Sequence, residues 1–147
     1  MRKHGLLIAI ILACLAFTAF GQEDTDTNTI ALGEGEAGRF LTDSEGFSLY
    51  LFLNDTDGAS VCYDGCAALW PPLLVEDGAE STVGEGLDAG LLGTTERTDG
   101  TLQVTYNGWP LYYYAADMEA GQTTGQAVGG NWWLVSAAGT ALGMDSE

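Results

Sequence analysis

Positive charge is nearly missing from this sequence: four Lys and Arg residues and one His stand against 21 Asp and Glu. Arg2, Lys3 and His4 sit together at the start, ahead of an uncharged stretch from Gly5 to Gly21. A cationic start, a short apolar run and small residues at its end make the pattern of a secretory signal, and Leu6 to Phe20 is short for a membrane span. Residues 1–21 are therefore read as a signal peptide cleaved after Gly21, with Ala19 at the minus-three position. The alternative is lipid attachment at Cys14, where Ile11-Leu12-Ala13-Cys14 approximates a lipobox. Plain secretion is preferred, since the chain stays apolar for six residues past that cysteine.

Removal of the signal leaves a mature chain with no Lys and no His. Its only cations are Arg39 and Arg97, and the formal charge moves from −17, by the two charges of Arg2 and Lys3, to −19. Nucleic acid binding is excluded, because phosphate contacts need clustered Lys and Arg. Anionic membrane surfaces are excluded on the same ground. Histidine general bases, Ser-His-Asp triads, Cys-His dyads, histidine metal sites and lysine Schiff bases are absent by composition. The excess of acid reads first as solubility and adaptation to salt, which screens self-repulsion, and second as a cation-attracting face.

Disorder is excluded as well, because 46% of the 147 residues are hydrophobic and the length suits one core. The chain matches itself at an offset of 62: Gly46-Phe-Ser-Leu-Tyr-Leu-Phe-Leu-Asn-Asp55 lines up with Gly108-Trp-Pro-Leu-Tyr-Tyr-Tyr-Ala-Ala-Asp117, and Trp70 with Trp132. This is a tandem duplication, and neither copy is expected to bury its apolar face alone. Leu102 to Tyr106, the turn pair Asn107-Gly108 and Trp109 to Tyr114 predict a tight hairpin. In the first copy, a looser turn from Asp43 to Gly46 joins Phe40-Leu41-Thr42 to Phe47 to Leu53. Tyr50 and Phe52 share one strand face, as do Tyr112 and Tyr114, with Leu49 and Leu111 opposite, which predicts strands buried on both sides. Asn131 to Ser136 reads as a closing strand, and Gly65 to Trp70 as a helical turn or two stopped by Pro71-Pro72.

The expected fold is all-β: a compact small barrel or sandwich of about six to eight short strands, built from two tandem repeats, with little helix. Residues 22–29 are expected to be a disordered acidic lead-in and 30–140 the single domain. Within it, repeat one spans about 39–75, a glycine-rich connector 76–101 and repeat two about 102–137, with a flexible tail at 141–147.

These features together resemble a family of predicted secreted proteins and lipoproteins marked by a Tyr-x4-Asp repeat, also written Yx(FWY)xxD. Tyr50-Leu-Phe-Leu-Asn-Asp55 and Tyr112-Tyr-Tyr-Ala-Ala-Asp117 are its two copies, so Tyr50, Phe52, Asp55, Tyr112, Tyr114 and Asp117 are the motif positions. Cys62 to Val75, Leu91 to Thr95, Val104 to Tyr112 and Gly129 to Val135 look like family positions too. The resemblance covers about 40–136 and implies export and an extracytoplasmic role; it brings no activity, substrate or catalytic residue.

Several constellations bear on function. A tyrosine bonded to a turn carboxylate is first a way to satisfy a buried polar tip, which duplication would copy. Cys62 and Cys66, the only mature cysteines, read as a structural disulfide; the sharper reading is a redox or soft-metal site, for copper. Asp55, Asp57 and Asp64 crowd one loop and are weak candidates for calcium, without a recognised loop pattern. Trp109, Trp132 and Trp133 are candidates for stacking against a ligand. The expected function is a non-catalytic binding or interaction protein, secreted or attached to the cell envelope. It would carry no cofactor and meet an envelope or extracellular ligand, with no nucleic acid and no membrane span in the mature chain. The alternatives are a thiol-disulfide or metal-handling protein, for copper or calcium, and a carboxylate-dependent glycosidase.

Overall fold

The computed structural model describes residues 28–75 and 79–144. The expected signal peptide, Cys14 and residues 22–27 of the expected lead-in lie outside the described residues. In chain order the elements are β1 (Asn28–Gly35), β2 (Gly38–Thr42), β3 (Tyr50–Phe52), α1 (Gly65–Leu69), β4 (Leu74–Val75), β5 (Ser81–Val83), β6 (Leu92–Glu96), β7 (Leu102–Tyr106), β8 (Trp109–Pro110) and β9 (Trp132–Leu134). They make an all-β fold of three small sheets, ordered β2-β1-β5, β3-β9 and β4-β7-β6, with β8 against β7. No sheet closes on itself as a barrel, and the described strands number nine.

Local chemistry explains the turns. Asn107 and Gly108 hold φ of 56 and 82, which a two-residue hairpin turn needs at both positions, and they set Tyr106 opposite Trp109. In the first copy the Asp43 carboxylate caps the looser turn by accepting from the backbone N–H groups of Glu45 and Phe47, both at 2.9 Å. The helix α1 is short, exposed and without a side-chain cap, and the disulfide Cys62–Cys66 spans its start. An isolated helix of this length would not persist in water. The Trp70 N–H, donating to the Cys66 carbonyl at 2.7 Å, ties its end to a buried ring.

Three boundaries differ from the sequence reading. β1 starts at Asn28, inside the expected lead-in, because Asn28 to Ile30 pair in parallel with Ser81 to Val83. The expected connector supplies β5 and β6, since glycines that break helices still allow short extended pairing. At the other end Ala141 bridges Val135, and Leu142 packs on the core, so the described part of the tail is docked.

The duplication is expressed as an exchange of partners. β3, from copy one, pairs with β9 of copy two, setting Tyr50 opposite Leu134. Tyr112, the equivalent of Tyr50, bridges Pro72, the equivalent of Leu134. The flanking bonds repeat the relation: the Leu53 N–H donates to the Asn131 carbonyl and the Ala115 N–H to the Leu69 carbonyl, both at 2.8 Å. At the centre Tyr50 and Tyr112 exchange backbone hydrogen bonds of 2.8 and 3.0 Å, so an approximate two-fold axis passes between them. As their alternation predicts, these strands are buried on both sides. Leu49, Leu51 and Leu111 belong to one core with Ile30, Leu41, Val104 and Val135; Tyr50, Phe52 and Tyr112 belong to a second with Trp70, Trp132 and Leu134. Burying each such side chain contributes about 1.5–3 kcal/mol, so packing rather than hydrogen bonding holds a strand as short as β3.

Gly125 sits against the second core, where an added Cβ would lie 2.8 Å from the Trp70 ring and 2.9 Å from the Tyr50 ring. Gly125→Ala is expected to destabilise the protein by about 1–3 kcal/mol through overpacking. Gly65→Ala, in α1 with nothing within 4 Å of its new methyl, should stabilise by ~0.4–1 kcal/mol. Thermal unfolding of both variants checks the contrast, and equal effects would contradict this account of the core.

Candidate functional site

The exchange of strands delivers each motif tyrosine to the other copy's aspartate. The Tyr50 hydroxyl donates to Asp117 Oδ2 and the Tyr112 hydroxyl to Asp55 Oδ2, each at 2.7 Å. Neither pairing is within a copy, although Tyr50 and Asp55 are five residues apart in sequence. The second oxygen of each carboxylate is also taken. Asp55 Oδ1 accepts from the Val61 N–H at 2.8 Å, and Asp117 Oδ1 from the Thr124 N–H at 2.9 Å and hydroxyl at 2.5 Å. Tyr50 and Tyr112 are fully buried and both aspartates nearly so. Desolvation, reinforced by the adjacent carboxylate, pushes both phenols well above the ordinary tyrosine range. Tyr113 shifts the same way through burial and its 2.8 Å bond to Asp43 Oδ2. Desolvation also raises the Asp55 carboxyl, opposed by its Val61 and Tyr112 hydrogen bonds and by the Arg97 charge.

Around these pairs lies a stack of four rings that follows the same approximate axis. Trp70 and Trp132 are parallel within 2°, their centroids 3.8 Å apart. Tyr114 stacks on the outer face of Trp70 at 4.0 Å and Phe52 on that of Trp132 at 4.1 Å. The edge contacts repeat too, Tyr50 to Trp70 at 5.4 Å and Tyr112 to Trp132 at 5.1 Å. Edge-to-face and offset stacked pairs contribute about 0.5–1.5 kcal/mol each beyond area burial.

The two copies diverge where Arg97 enters. Its guanidinium is buried, donating to Ser60 Oγ at 3.0 Å, Gln103 Oε1 at 2.8 Å and the Cys62 carbonyl at 2.8 Å, and it lies over the Tyr63 ring at 4.3 Å. Tyr112 gives its only proton to Asp55, so the Ser60 hydroxyl, 2.6 Å away, donates to Tyr112. Tyr50 receives the Gly125 N–H at 3.1 Å instead.

The sequence candidates fall in different places. Cys62 and Cys66 form a disulfide. Trp132 has both faces occupied by Trp70 and Phe52. Trp133 is half-buried, its indole N–H donating to the Gly130 carbonyl, and Trp109 is half-buried on the wall of an open cleft. Asp55 is buried in its tyrosine bond, whereas Asp57 and Asp64 are exposed in separate turns. Among the described residues no three His, Cys, Asp and Glu side chains are grouped to hold a metal ion. Ser60, Arg97, Thr124 and Gly125 also hold the site, and none belongs to the repeat motif. Trp70 is legible through its 62-residue offset from Trp132, and Arg97 as one of the two Arg or Lys residues beyond residue 3; Ser60 carries no signal.

A family model described as a secreted repeat of unknown function matches residues 31–74 and 93–136, one match for each copy. No curated protein and no solved structure matches the chain. Among the described residues no helix is long and apolar enough to cross a membrane.

The buried phenols predict how alkali acts. Their folded-state pKa values lie above the unfolded value near 10, so the stability they hold is complete below pH 10 and is lost as pH rises beyond it. For Tyr50 and Tyr112 the loss is about 1.4 kcal/mol per pH unit for each phenol. Of the six tyrosines, Tyr50, Tyr112 and Tyr113 are expected to ionise only as the protein unfolds. Phenolate absorbance followed beside circular dichroism checks this, and six phenols titrating in a folded protein would contradict it. Tyr50→Phe, which removes the donor to Asp117 Oδ2 while Thr124 still serves Oδ1, should cost about 1–3 kcal/mol in denaturant unfolding.

Proposed function

Because the chain belongs to the Lipoprotein_15 family, a secreted repeat of unknown function, we propose that it is an extracytoplasmic binding module without catalytic activity. The supporting observation is that Asp55 and Asp117, the carboxylates of the repeat, are consumed in joining the two copies. Hydrolysis of a glycoside by paired carboxylates needs one of them free to donate a proton and the other to face the sugar. These two face tyrosines inside the core.

The contact surface in this reading is the cleft of about 270 Å³ between the Asp57-Gly58 and Asn107-Gly108 turns, lined also by Asp55 and Trp109. Its half-buried indole offers an apolar face, and the turns offer polar groups beside it. At the equivalent position of the other copy the turns are drawn together, the Gly121 N–H donating to the Gly46 carbonyl at 3.1 Å. A neutral, hydroxyl-bearing envelope or extracellular polymer suits this cleft, since the protein's negative charge repels anionic ones.

Calorimetric titration with neutral oligosaccharides prepared from envelope polymers tests the reading. Trp109→Ala is expected to weaken binding at least tenfold, about 1.4 kcal/mol, with the circular dichroism unchanged. Absence of binding by the unmodified protein, or equal binding by the variant, overturns it. Shortened oligosaccharides in the same samples would instead favour a glycosidase, and uptake of copper abolished by Cys62→Ser with Cys66→Ser would favour metal handling.

A further inference from the structure

The second core holds five oxidisable rings in mutual contact, Tyr50, Trp70, Tyr112, Tyr114 and Trp132, and it couples two of them to carboxylate proton acceptors. We propose that this cluster is a sink for one-electron oxidation: an electron vacancy entering the Trp70–Trp132 stack from a one-electron oxidant settles on Tyr50 or Tyr112 as a neutral tyrosyl radical. This activity is independent of ligand binding at the cleft.

Electron exchange between rings falls steeply with the gap between them, and here each step spans a direct contact. Tyr114, half-buried at one end of the stack, lies 4.0 Å from Trp70, and the two tryptophans are parallel at 3.8 Å. Tyr50 is in edge contact with Trp70 and Tyr112 with Trp132. The duplication therefore sets one carboxylate-bonded phenol beside each indole.

A phenol inside a fold gives up an electron readily only if its proton leaves too, because the oxidised phenol is a strong acid. Tyr50 and Tyr112 each already donate to a carboxylate oxygen at 2.7 Å. The step balances within the core: the phenol O–H bond breaks, its proton forms an O–H bond at Oδ2 of Asp117 or Asp55, and the electron reduces the oxidant by one unit. The products are a neutral radical and a neutral carboxylic acid, so a buried negative charge disappears. Desolvation, which penalises the charged carboxylate, thus favours the oxidised state. The raised Asp55 carboxyl acts in the same direction. The Val61 N–H at Asp55, and the Thr124 N–H and hydroxyl at Asp117, hold each acceptor in place. Tyr114 shares the stack but has no carboxylate partner among the described residues, so its phenolic proton has no internal acceptor and it is neither the resting place nor a required step.

Flash generation of tris(bipyridine)ruthenium(III) in the presence of the full chain, followed by transient absorption and electron paramagnetic resonance, tests this. The expected result is an early tryptophanyl signal replaced by a tyrosyl radical at a rate independent of buffer-base concentration, since the proton acceptor is internal. Tyr50→Phe and Tyr112→Phe should each lower the tyrosyl yield roughly two-fold if the two acceptors act independently, and together leave the tryptophanyl radical as the last species. Tyr114→Phe should retain the tyrosyl signal. A rate that rises with buffer base in the unmodified protein, which needs no variant to fold, would assign the radical to the half-buried tyrosines that reach solvent and overturn the proposal. So would loss of the signal in Tyr114→Phe, or an undiminished signal in the double variant.

Discussion

Each copy's tyrosine donates its proton to the other copy's aspartate, and most of the fold depends on that exchange. Were the bond made within a copy, the Trp70 and Trp132 segments would have no reason to cross the axis. Because it is made between copies, the strand of one repeat must lie beside the tryptophan segment of the other, and the four rings then stack across the seam. The polar and apolar parts reinforce one another. Burial by the rings removes water from the Tyr–Asp pairs, which strengthens those bonds and makes an unpaired carboxylate costly. The bonds in turn fix the tyrosine rings edge-on against the indoles.

The two copies share this seam and differ at its rim. Copy one carries the disulfide and α1, and the Cys62 carbonyl and Ser60 receive the Arg97 guanidinium from the far side of the chain. In copy two, Thr124 and Gly125 do the corresponding work with a hydroxyl and backbone N–H groups. The same tyrosine–aspartate geometry is thus supported by two unlike shells, as duplication followed by divergence would produce. The divergence also leaves a cleft at one pair of turns where the other pair is joined.

Much of this architecture was legible. The 62-residue offset, the Asn107-Gly108 hairpin, the two-sided burial of Leu49 to Phe52 and the disulfide follow from local spacing and turn chemistry. β5 and β6 were not, because a glycine-rich, acidic stretch carries little alternation, and its strands form only against β1 and β7. A closed barrel was also indistinguishable by pattern from three small sheets, since both ask for short, doubly buried strands. Arg97 gives no sign that it is buried: a lone arginine beside Thr98 and Asp99 reads as surface, and two of its three acceptors, Ser60 and the Cys62 carbonyl, lie 37 and 35 residues away.

The sequence by itself determined the repeat, the β-structure, the acidity and the pairing of a tyrosine with an aspartate as a motif, because each is a matter of composition or of spacing within a few residues. Only the tertiary structure decided which aspartate each tyrosine meets, at separations of 67 and 57 residues. A motif fixes where its side chains sit on their own strand. The partner across the seam is chosen by how two copies, neither able to cover its apolar face alone, bury those faces against each other.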